Sequence, residues 1–238
     1  MVNWFSRKGK RAEVPRLRPR SEAEPTTKVD LAELTPDLLT FLGKAAYLQL
    51  TMFENLGRAM AIAPTTESKE VLSRVAALSL AKHHGLTAEI RRHGEEPGPV
   101  MQPFTAEIDD YQRATQGNDW HEELLACHIT AGFLGDFFVH LAAGLPTDYA
   151  GRVTTVLRAD SGAELLADEI RKVIEQNDKI DSRLAMWGRR LVGDTMLIAR
   201  STLAPSANGV TDEARIEPVF TELIAAHTRR MDGLGLTA

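Results

Sequence analysis

Apolar residues recur along this chain at steps of three and four, the signature of helices with one buried face. The first such stretch follows Thr35-Pro36, a cap residue with proline at the first helical position. It carries Leu38, Leu42, Ala45, Gln49, Met52 and Leu56 at helical spacing and predicts a helix over 36–63. Pro64-Thr65-Thr66 makes a short turn, and Thr66 with the acidic start that follows opens a second helix over 66–94, through Leu72, Val75, Leu78 and Ala81. A Pro/Gly-rich loop over 95–103 and a short helix over 105–113 come next. Asn118-Asp119 before Trp120 opens a third long helix, which Gly144-Leu145-Pro146 closes. A fourth is predicted as one continuous helix over 147–176. A fifth over 182–203 has Leu184, Trp187, Leu191 and Met196 on its apolar side, and a sixth covers 212–231.

No alternating β-branched segment is bounded by hairpin turns, so a sheet has nothing to be made from and the fold class is all-α. The longest helices would span roughly 40 Å at 1.5 Å per residue, which is bundle geometry. Two antiparallel hairpins joined by a longer crossover give a ferritin-like up-and-down four-helix bundle, here with additional C-terminal helices. A hydrophobic content of 43% suffices for a substantial core.

Residues 1–30 break the pattern. Arg7, Lys8, Lys10, Arg11, Arg16, Arg18 and Arg20 share the segment with Pro15, Pro19 and Pro25, so no apolar face can form. The expectation is a disordered basic tail of residues 1–30 ahead of a bundle over 31–238. The tail suits electrostatic contact with RNA or an acidic membrane, helped by Trp4 and Phe5, and equally a solvated tail without a partner. A net charge of −5 restricts any nucleic-acid contact to such a local patch. Cys127 is the one cysteine, which excludes an internal disulfide and a thiolate metal site and suits a cytoplasmic location. No run of about 18 apolar residues suggests a transmembrane segment.

Di-iron carboxylate bundles draw one Glu from each of two helices and an E-x-x-H pair from each of the other two. Residues equidistant from a tight turn lie side by side in an antiparallel hairpin. Pivoting the first hairpin on Thr66 sets His83 opposite Gln49, and pivoting the second on Pro146 sets Ala163 opposite Ile129. The E-x-x-H register then puts Leu80 and Asp160 in the acid positions, so few of these positions keep a proper ligand type. A shifted register brings in Glu54, His84, Glu123, Asp136, Glu164 and Asp168. Asp136 stands out within Phe133-Leu134-Gly135-Asp136-Phe137-Phe138, as either a ligand or a structural acid paired with Arg189 or Arg190. Adjacent residues on a helix point about 100° apart, so His83 and His84 cannot chelate one ion together.

Five segments carry a family resemblance: Ala46-Tyr47-Leu48-Gln49-Leu50, His83, Gly135-Asp136-Phe137, Asp160-Ser161-Gly162-Ala163, and the run from Arg183 through Trp187 to Gly193. On these, residues 34–203 resemble actinobacterial ferritin-like proteins grouped with the tRNA isopentenyladenosine hydroxylase (MiaE-like) family. The resemblance implies a non-haem di-iron monooxygenase that activates dioxygen and hydroxylates a prenylated adenosine in tRNA. Its sites for Glu and for a second His correspond here to Gln49, Leu80 and Ala163. Two functions therefore stay open. One is an active oxygenase with His83, Asp160, Asp136 and Glu54 as metal ligands. The other is a bundle with a degenerate di-iron site, little or no bound iron, and a binding or scaffold role. The sixth helix and the Trp187 face could close the bundle or pair two chains into a homo-oligomer.

Overall fold

Short polar side chains start three of the long helices by taking up first-turn N–H groups that have no partner inside a helix. Asp37 accepts from the Thr40 N–H (3.0 Å) and opens α1 (Leu38–Ile62). Thr65 accepts from the Ser68 N–H (3.1 Å) ahead of α2 (Thr66–Arg92). Asp119 accepts from the N–H groups of His121 and Glu122 ahead of α5 (Trp120–Leu141), as the sequence predicts. Between these come α3 (Pro97–Met101), inside the expected loop, and α4 (Thr105–Thr115). The chain continues as α6 (Thr147–Arg158), α7 (Ala163–Gln176), α8 (Ile180–Ser201) and α9 (Gly209–Gly233). This computed structural model describes residues 34–177, 179–204 and 209–237, with side chains from 216 onward in the last stretch. No strand occurs among the described residues, so the fold is all-α; the expectation for residues 1–30 lies outside them.

The fourth helix is a correction: it is two helices. Asp160 Oδ1 accepts the Gly162 N–H at 2.8 Å in an Asx turn, and Gly162 adopts φ +68°. Such a turn offers the backbone an alternative to the helical ladder, and a left-handed residue cannot continue the helix. Gly162 also lies against Val75 of α2, where a Cβ would come within 2.8 Å of Val75 Cγ2.

The helix α1 pairs along its length with α2, and α5 packs on α1, α6, α7, α8 and α9 at once. That central place explains why α5 is apolar all round. Residues 120–144 are long and apolar enough to cross a membrane by length and composition, but most of their apolar window is buried inside the fold. Phe133, Phe137, Phe138 and Trp120 are core, as expected. Trp187 is buried too, donating its indole N–H to the Glu122 carbonyl at 3.2 Å, so its face is covered within the chain.

Two buried lysines tie helices end to side. Lys44 of α1 donates to the Ser201 carbonyl at the end of α8 (2.9 Å), and Lys82 of α2 donates to the Leu157 carbonyl at the end of α6 (2.9 Å). Each cation meets the negative end of a helix dipole, where carbonyls lack intrahelical partners.

Candidate functional site

The core divides into two apolar clusters. One gathers Phe41, Leu42, Leu86, Phe133 and Ile198; the other gathers Met52, Leu56, Val75, Leu125, Leu191 and Met231. Where they meet, at the waist of the bundle, the buried polar residues are Thr51, Ser79, Lys82, Thr130 and Thr195. Three of them have their hydroxyls placed. Thr51 donates to the Leu48 carbonyl (2.9 Å), Thr195 donates to the Leu191 carbonyl (2.7 Å), and the Tyr111 hydroxyl of α4 lies 2.9 Å from that of Thr130 and 3.0 Å from that of Thr195. Burial pushes the Tyr111 phenol up, so it stays a neutral hydrogen-bonding group.

Carboxylates that are buried lie elsewhere and are already in use. Glu89, near the end of α2, holds Arg152 through both oxygens. At the start of α5, Glu122 accepts from the Asn118 backbone (3.0 Å) and Glu123 from the Gly117 N–H (2.8 Å). Gly117 passes so close to the Glu123 backbone that a Cβ would collide with it. Glu169 accepts from the Ser68 hydroxyl at the start of α2. Hydroxyls and a lysine are a poor match for a carboxylate-bridged di-iron centre, which needs anionic oxygens and imidazoles converging at one level.

The sequence-predicted ligands are scattered. His83 is half-buried, and its Nδ1 lies 2.9 Å from the Ala46 carbonyl of α1, one turn from the expected Gln49. Glu54 is exposed on α1, and Asp160 is exposed in the α6–α7 turn instead of lying along a continuous helix. Asp136 forms an ion pair with Arg230 of α9. The expected partners Arg189 and Arg190 are exposed, with Arg190 stacked over the Trp187 ring. No group of three or more His, Cys, Asp or Glu side chains among the described residues is placed to share a metal ion. Cys127 is buried, and burial together with the Glu123 charge pushes its thiol up, which keeps it unreactive.

A different part of the molecule leaves polar groups open. His128 of α5 is 5% exposed, and neither ring nitrogen has a hydrogen-bond partner among the described residues. Burial, then the positive charges of Arg230, His227 and Arg171, lower its pKa to about 4. The imidazole lines a hollow of about 430 Å³ between α5, α7 and α9, together with Arg171, Arg229 and Arg230. Burial and Arg230 lower the pKa of His227 as well.

A family model described as a ferritin-like domain of actinomycetes matches residues 33–208. The chain belongs to that family. No curated protein matches it significantly. The match takes in the α1–α2 hairpin, α5 and the α6–α7 pair that make the ferritin-like bundle, with α8 packed on α5. The whole of α9, with Arg229 and Arg230, lies beyond the matched stretch of the ferritin-like domain. His128 escapes a search for ligands along the sequence because it sits in the apolar run Leu124-Leu125-Ala126-Cys127-His128-Ile129. Its partners from α9 are about 100 residues away, at a separation no periodicity reveals.

Proposed function

We propose that this ferritin-like chain works as a binding protein, its bundle waist given over to hydroxyl hydrogen bonds in place of a di-iron centre. The observation that carries the reading is the Tyr111–Thr130–Thr195 network at the junction of the two apolar clusters. Those groups satisfy one another and leave neither charge nor free donor atoms for a hard metal ion. On this reading the likeness to tRNA isopentenyladenosine hydroxylases describes descent, and His83 serves as a structural link between α2 and α1.

Elemental analysis of protein purified aerobically from iron-supplemented cells tests it. The expected result is iron far below one atom per chain, with a melting temperature unchanged by chelator. About two iron atoms per chain, reduced in His83→Ala, would overturn the reading and restore the oxygenase.

The partner of such a bundle reaches the basic stretch over residues 1–30. Its arginines and lysines suit the phosphate backbone of RNA. RNA binding that weakens steeply with salt and disappears on deleting 1–30 is expected; binding indifferent to that deletion would remove the tail from the account.

A further inference from the structure

Buried polar atoms in folded proteins have partners, and a buried imidazole without one points to something missing from its surroundings. What is missing around His128 is largely acceptors. Arg230 Nη1 is also buried without a partner, although Arg230 gives its other terminal nitrogen to Asp136. Arg229 has no ion pair or hydrogen bond among the described residues. Arg171 is satisfied by Asp168 (2.6 Å), by the Gly233 carbonyl (3.3 Å) and by Glu164 (3.9 Å). The lining carboxylates Asp136 and Glu164 are thus committed to Arg230 and Arg171, and the free donors belong to His128, Arg229 and Arg230.

A second hollow of about 540 Å³ adjoins the first across the Asp136–Arg230 pair, sharing Arg229 and Arg230. Arg158 lines it, and so does the first turn of α7, whose N-cap Gly162 has no side chain to satisfy the open N–H groups. Glu222 also lines it, 3.8 Å from His140. Gly132 of α5 makes the approach possible: a Cβ there would come within 2.9 Å of Arg230 Nε. In a chain of net charge −5, arginines and unfilled donors concentrate here. Guanidinium forks and a helix N-terminus match the several strong acceptors of a phosphate, and the combined space falls in the range of small-ligand sites.

We propose that the paired hollows between α5, α7 and α9 bind a small phosphorylated metabolite, its phosphate seated among His128, Arg229 and Arg230. The inference deepens the reading of a binding bundle but fails separately from it, since iron content and phosphate binding are measured independently.

The test uses the full chain with 15N-labelled histidine in phosphate-free buffer, following the ring resonances of His128, assigned through His128→Gln. Inorganic phosphate, phenyl phosphate and acetate are titrated in turn. The expected result is a saturable shift of the His128 ring with both phosphates, and weaker binding of acetate. Arg229→Gln weakens phosphate binding about tenfold, the scale of one charge-assisted contact, while Arg190→Gln on the Trp187 face leaves it unchanged. No saturable shift, equal affinity in Arg229→Gln, or acetate binding as tightly as phosphate would overturn the proposal.

Discussion

The waist of the bundle and the face between α5, α7 and α9 draw on the same helix two residues apart, and they treat buried polarity in opposite ways. Thr130 sits in a closed network in which the Tyr111 hydroxyl is its partner and links it to Thr195. His128 is as deeply buried and has none among the described residues. A closed network contributes to the stability of one packed arrangement, whereas an open donor costs stability until something outside the chain supplies the acceptor. The comparison therefore separates a region that holds the fold together from one that waits for a ligand.

Acid titration should break the comparison most sharply. The native pKa of His128 lies below its unfolded value of 6.5, at about 4, so the unfolded chain binds the extra proton first. Stability rises with pH across that window and is lost as pH falls from 6.5 toward 4, by up to about 3 kcal/mol. His227, also lowered, acts in the same direction. Chemical denaturation at a series of pH values should show this slope, and His128→Leu should flatten it. An unchanged slope in that variant would mean that His128 is solvated in the native state.

Tyr111→Phe comes next. It removes the hydroxyl that joins Thr130 to Thr195 and should cost roughly 2 kcal/mol, since it leaves a buried hydroxyl short of a partner. Thr130→Val should cost less, about 1 kcal/mol, because Tyr111 keeps Thr195. If both variants match the wild type in denaturant midpoint, the network contributes nothing. The smallest effect belongs to Arg229→Gln, within about 0.5 kcal/mol as expected for an exposed side chain without partners among the described residues. A large loss of stability there would show that Arg229 belongs to the scaffold.

Much of the scaffold was legible from caps and periodicity. Asp119 before Trp120 and the Pro64-Thr65 turn place α1, α2 and α5 within a few residues, because these signals are local and physical. The break at Asp160 was legible too, in the turn residues Asp160-Ser161-Gly162, but the apolar spacing on either side favours a continuous helix. That one break interrupts the continuous helix along which the register runs and makes Asp160 a turn residue. The hydroxyl layer and the His128 hollow were not legible for a different reason. Thr130 and His128 are ordinary residues in an apolar helix, and their character depends on Tyr111, Thr195, Arg171 and Arg230, brought in from four other helices. Likewise, Asp136 finds Arg230 and not the arginines that the sequence offers on the fifth helix, because α9 crosses α5 where α8 turns those side chains to solvent.

The all-round apolar surface of α5 also bears on how the chain is made. Residues 120–141 leave the ribosome before α6 through α9, the helices that cover much of them, have been synthesised. Until then the nascent chain displays a stretch that resembles a membrane span in length and hydropathy. Truncation after α7 should therefore give a product that aggregates or engages chaperones, with its central helix bare on the sides that α8 and α9 would have sealed.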